Sequence, residues 1–129
     1  MTMHWSDKYV GDVYAPETGD CAALAERVAR EVFGKTVGLP TSHATTYREQ
    51  AKQILELQDS YATKIDAPVD GCPALFIGRG RLCHIGVMCW IAGEWYVTHA
   101  DASAGFVVRQ RLRDMTRLHW AVEGYYAWK

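Results

Sequence analysis

Long apolar runs are missing from this sequence. No stretch comes near the roughly 18 consecutive apolar residues that a membrane-spanning helix needs, so no membrane segment is expected. Residues 1–9 hold no basic start followed by an apolar stretch, and no secretory signal is read there. The expectation is therefore synthesis in a cytoplasm and export by another route. An excess of one charge is also missing: Lys and Arg number 14 against 15 Asp and Glu, for a formal net charge of -1. Phosphate binding needs a basic surface, so nucleic acid is not an expected partner. Arg109, Arg111, Arg113 and Arg117 do gather locally. Their alternation with Val108, Leu112 and Met115 reads as the wet face of an edge strand or turn. There is no Cys-x-x-Cys pair, no internal repeat and no linker rich in Pro, Gly or Ser. The four cysteines (Cys21, Cys72, Cys83 and Cys89) are expected to be free thiols.

What is present suits a packed globule. The 129 residues are 49% apolar and 22% charged, which fits one domain over residues 1–129. Residues 9–19 carry Gly11, Pro16 and Gly19 and read as an irregular lead-in. Asp20 is a good N-cap, and residues 21–33 read as a helix whose inward stripe is Leu24, Val28 and Val32. Gly34 supplies the stop. A second amphipathic helix is predicted from about Ser42 to Tyr61, and a turn over residues 66–71. Strands are expected over residues 73–77, 83–91, 94–99 and 106–112, with one more over residues 121–128. Helices first and strands later argue an α+β fold, with N-terminal helices packed on a C-terminal antiparallel sheet.

Cys21 opens the first helix, where unpaired N–H groups and the helix dipole favour a thiolate. It also falls one turn before Leu24, on the inward face. A small buried thiol is the plainer reading of the same position. The hairpin adds to the case. With Ala92-Gly93 at the turn, Trp90 faces Trp95, Met88 faces Val97 and Gly86 faces His99. His84 then shares a face with His99, diagonally across the pair and within hydrogen-bond reach. Taken singly, each histidine reads as a satisfied residue at a sheet border. Together with Cys21 they supply a nucleophile, a base and an orienter. The Cys21 helix is expected to lay its N-terminus over the histidine face. Cys83, His84, Cys89 and His99 are zinc-ligand types, but alternation turns both cysteines away from His84, so no metal is expected.

These residues resemble the NlpC-type cell-wall peptidases, a papain-like family of cysteine hydrolases, in the short form carried by tailed phages. Trp5 and Tyr14 resemble the family's opening tryptophan and the tyrosine ahead of its nucleophile. Gly19-Asp20-Cys21-Ala22-Ala23-Leu24 resembles the nucleophile segment, with Ala22 where serine is usual. His84-Ile85-Gly86-Val87 resembles the His-Val-Gly-Ile strand, and Val97-Thr98-His99-Ala100 the strand that bears the third polar residue. Val122-Glu123-Gly124-Tyr125-Tyr126-Ala127-Trp128 resembles the closing strand of phage members. The resemblance implies a papain-like fold and a thiol protease with a Cys21–His84–His99 triad. Tyr14 and Asp20 would lie on its substrate side, and no cofactor would be needed. It implies cleavage of peptidoglycan stem peptides near D-glutamate or diaminopimelate, by an enzyme held by tail-tip proteins of a phage or phage-like particle. That particle would act at the periplasm or cell wall. The alternatives are a structural tail-tip component on the same fold, or an amidase or acyltransferase using the same triad.

Overall fold

Near-continuous apolar runs along the central strands give one sheet two buried faces, and the whole architecture follows from covering both. The structure is a computed structural model. It describes residues 3–14, 21–37, 61–78, 81–101 and 103–129, with residues 81–83 described in the backbone only. The elements are α1 (Cys21–Phe33), β1 (Ala62–Ile65), β2 (Pro73–Gly78), β3 (Arg81–Ile91), β4 (Glu94–Asp101), β5 (Phe106–Arg111) and β6 (Trp120–Trp128). Two 3-10 turns, Trp5–Lys8 and Leu112–Leu118, complete the described chain. The strands form one six-stranded antiparallel sheet in the order β1-β6-β2-β3-β4-β5. The fold is therefore α+β with an antiparallel sheet.

One face packs under α1. Leu24, Ala25 and Val28 of the helix meet Leu75, Ile85, Val87, Ala100 and Val107 of the sheet, together with Tyr9. Val32, the third residue of the expected stripe, packs at the edge of this cluster. Gly34 stops the helix at a φ of +66°, which costs an L side chain strain but not glycine. The opposite face holds Phe76, Met88 and Val97 beneath Met115 and Leu112 of the second 3-10 turn. Because β2 is covered on both sides, Leu75 and Phe76 are both fully buried, each contributing about 1.5–3 kcal/mol of apolar burial.

The β3–β4 hairpin closes through Ala92 and Gly93, with φ of 51° and 78°. Two positive φ values define a two-residue turn whose twist matches the strands. Pairing runs from Ile91↔Glu94 through Trp90↔Trp95 and Met88↔Val97 to Val87↔Thr98. β5 closes the sheet, and its outer edge is laced by the N-terminal segment. Gly11 and Tyr14 donate to the carbonyls of Val107 and Gly105, and Val107 donates to Asp12. Such lacing protects an otherwise open edge.

Two differences from the sequence pattern stand out. Residues 62–65, left between a helix and a turn, form β1 against the end of β6. The arginine run is split: Arg109 and Arg111 lie on β5, whereas Arg113 and Arg117 lie in the 3-10 turn that covers the histidine-bearing face. The second predicted helix, up to residue 60, lies outside the described residues, as does Asp20. Among the described residues no helix is long and apolar enough to cross a membrane.

Candidate active site

Hairpin register brings the two candidate histidines together. Extending the pairing one step beyond Val87↔Thr98 sets Gly86 opposite His99. His84 is the neighbour of Gly86 on the same face, as the period of two requires. A side chain on Gly86 would overlap Val97 and crowd Phe76, and its Cβ would stand 3.7 Å from the His99 Cβ. Glycine thus leaves the space in which the rings meet. His84 Nε2 lies 2.8 Å from His99 Nδ1, with the two rings at 85°.

A third group extends the pair. Gln110 reaches from β5 so that its Oε1 lies 2.7 Å from His99 Nε2. The amide oxygen only accepts, so His99 Nε2–H donates and His99 Nδ1 carries the lone pair. His84 must then donate its own Nε2–H to His99, which leaves the lone pair of His84 on Nδ1. The chain of hydrogen bonds therefore fixes both tautomers and presents one basic nitrogen. Trp120 stacks on the His84 ring at 4.6 Å and 22°, and Phe76 flanks it at 6.3 Å.

Both histidines are neutral. Burial holds the His84 pKa well below the ordinary histidine value, with the neighbouring His99 adding to the effect. Burial also lowers His99, against opposing contributions from Gln110 and Asp101. Desolvation is the dominant cause in each.

Cys21 is buried as the first residue of α1 and packs in the cluster that includes Ile85, Ala100 and Val107, with Tyr14 at its margin. Midway along the helix, Arg27 bonds to Asp12 at 2.9 Å, and the Asp12 carbonyl receives the Val107 N–H at 2.7 Å. The C-terminal residue, Phe33, lies against Gly71, whose N–H bonds to the Met88 carbonyl. The N-terminus of α1 therefore points toward the end of the sheet where β3 begins. Cys21 and Tyr14 stand at that end on one face, and His84, His99 and Gln110 on the other. The expectation that α1 covers the histidine face is corrected: α1 packs over Ile85 and Val87, whose side chains alternate with His84 and Gly86. Which face a helix takes is not set by alternation when both faces are apolar.

Burial disfavours the thiolate form of the two remaining described thiols. Burial raises Cys72, and it pushes Cys89 up to about 11, where its Sγ sits 3.2 Å from Thr98 Oγ1. Cys21, Cys72 and Cys89 form no disulfide. Among the described residues no group of three or more His, Cys, Asp or Glu side chains is arranged to hold a metal ion. Gln110 and Trp120 were not singled out from the sequence. The signal for Gln110 was its place as the one uncharged polar residue between Arg109 and Arg111, two positions from Val108 on the same face. No protein-family model, curated protein or solved structure matches the chain.

Proposed function

We propose that the chain is a papain-like, NlpC-type cysteine hydrolase that cleaves stem peptides of peptidoglycan, near D-glutamate or diaminopimelate. The observation that carries this reading is the directional chain from His84 through His99 to Gln110. It holds His84 neutral, in one tautomer, with Nδ1 as the basic nitrogen, which is what a general base for a thiol requires. Cys21 is the nucleophile: its sulfur attacks the peptide carbonyl, and its proton passes to His84 Nδ1. His84 then gives that proton to the leaving amine. Water, deprotonated by His84, cleaves the thioester and releases the acid. His99 positions His84, and Gln110 positions His99. By the resemblance, Tyr14 and Asp20 are assigned to the substrate side. This sequence of steps requires the Cys21 sulfur to meet Nδ1 around the end of β3. It needs no cofactor. The carrier we propose is the tail tip of a phage or phage-like particle, where wall penetration demands such a hydrolase.

A second reading is favoured by one observation. Cys21 and the histidines belong to opposite packing faces, and His84 is only 7% exposed. On that reading the same fold is a structural tail-tip component and the histidine chain is a buried polar network. Digestion of purified peptidoglycan with mass spectrometry of the products decides between them. Release of peptides cut within the stem supports the hydrolase. Cuts at the glycan–peptide amide reassign it as an amidase, and peptides joined to an added amine as an acyltransferase. Intact muropeptides support the structural role.

A further inference from the structure

Among the described residues, His99 is the one side-chain partner of Gln110 at the outer end of the histidine chain. Gln110 accepts from His99 through Oε1 and lines an open groove of about 520 Å³ with Tyr96, Arg111, Arg117 and Leu118. Its amide nitrogen, with two donors, has no partner among the described residues and can serve a ligand. The groove carries more positive charge than its acids balance. Arg111 is paired through Nε with Asp114 at 2.9 Å, which leaves its outer nitrogens available. Arg117 is exposed and has no acidic partner among the described residues. Arg109, also on the rim, is already bound to Asp7 and Ser6. Two guanidinium forks and a planar amide match the two coplanar oxygens of a carboxylate. Tyr96 and Leu118 supply an apolar wall for a short alkyl group attached to it.

We infer that this groove is a carboxylate-binding subsite, and that Gln110 transmits its occupancy to His99 and His84. The reading rests on the hydrolase proposal only in its choice of source, the free carboxylate of a stem peptide. A bound carboxylate draws on the Gln110 N–H groups and so polarises its oxygen, strengthening the bond from His99. Substrate and base orientation are thereby linked through a single side chain.

The test is a titration of the ¹⁵N-labelled full chain with N-acetyl-D-alanine, read at the imidazole nitrogens of His84 and His99. Saturable shifts at both rings are expected. Arg117→Ala, an exposed change that spares the core, should weaken binding about tenfold or more, the cost of one charge-assisted contact. Gln110→Glu, of the same shape but repelling the ligand, should weaken it as well. Gln110→Leu, which removes the amide that reaches both the ligand and His99, should weaken binding and abolish the ring shifts even at saturating probe. Inorganic phosphate should bind more weakly, because it cannot use the apolar wall. The inference is overturned by an absence of saturable shifts, by unchanged binding in Arg117→Ala, or by phosphate binding as tightly. None of these readouts requires turnover. A chain that binds the probe but leaves peptidoglycan intact fails the hydrolase proposal alone, and one that cleaves without binding fails this inference alone.

Discussion

His84 Nε2 donates to His99 Nδ1 across 2.8 Å, with the rings nearly perpendicular. Every proton in this contact is assigned by the Gln110 oxygen at its far end. The pair therefore works as one unit, and its consequences reach stability as well as chemistry.

The first concerns pH. Both histidines have folded-state pKa values below the ordinary one, so both are neutral in the fold. Above about pH 6.5 the unfolded chain is neutral at these sites too, and stability is at its full value. Below that, the unfolded chain takes up protons that the fold refuses, and stability falls by up to about 1.4 kcal/mol per pH unit for each histidine. Asp7 and Glu31, whose pKa values are lowered by their hydrogen bonds, act only in a more acid range. Urea melts between pH 7 and 5 should show this slope, and His84→Gln/His99→Gln should flatten it. Equal slopes would contradict burial of the neutral pair.

Gly86 is required by the close approach of β2 and β4. Gly86→Ala places a methyl against Val97 and Phe76. Overpacking of this kind costs about 1–3 kcal/mol, and here it also pushes on His99. Thermal melts should show the loss, and the His84–His99 ¹⁵N pattern should change. A variant as stable as the parent, with unchanged histidine signals, would contradict the packing described.

Asp70 ties the N-terminal segment to the sheet through three donors. It accepts from His4 Nε2 at 3.0 Å, Trp5 Nε1 at 2.9 Å and the Trp90 backbone N–H at 2.8 Å. Asp70→Ala should destabilise the chain by about 1–3 kcal/mol. It should also raise hydrogen exchange in residues 4–9. An exchange pattern that does not change would show that the 3-10 turn is held by other contacts.

Much of this geometry was legible in the sequence. The spacing of Leu24 and Val28, with Gly34 after them, marks α1 at residues 21–33, and the Ala92-Gly93 pair sets the hairpin register that joins His84 to His99. Alternation also says which residues share a face. It does not say which face a helix will cover when the alternate residues, here Ile85 and Val87 against Gly86 and Met88, are equally able to be buried. Gln110 depends on how β5 is registered on β4, which the turn at Asp101 sets by accepting from the Ser103 and Ala104 N–H groups. β1 has only Ala62 buried and pairs with β6, far along the chain, so its local pattern carries no strand signal.

Thiol reactivity separates Cys21 from its neighbours. Burial raises Cys72 and pushes Cys89 up to about 11. On the proposed mechanism Cys21 is the activated thiol, to be compared with a free-thiol reference of roughly 8.5. Alkylation across pH 5–9, read by mass spectrometry, should label Cys21 well before Cys72 and Cys89. His84→Ala should move the Cys21 profile toward the reference. Equal labelling of the three thiols would remove the argument for activation.

In the proposed hydrolase Cys21 performs the chemistry, and the decisive measurement is peptide release from purified peptidoglycan by the folded Cys21→Ala protein. Against a wild-type chain that liberates stem-peptide fragments, the variant should release none above background while keeping its melting profile. Loss of the nucleophile should lower the rate by at least about a thousandfold, the scale seen when a covalent catalyst is removed. Fragment release by Cys21→Ala at the wild-type rate, or no release by the wild-type chain itself, would contradict the assignment.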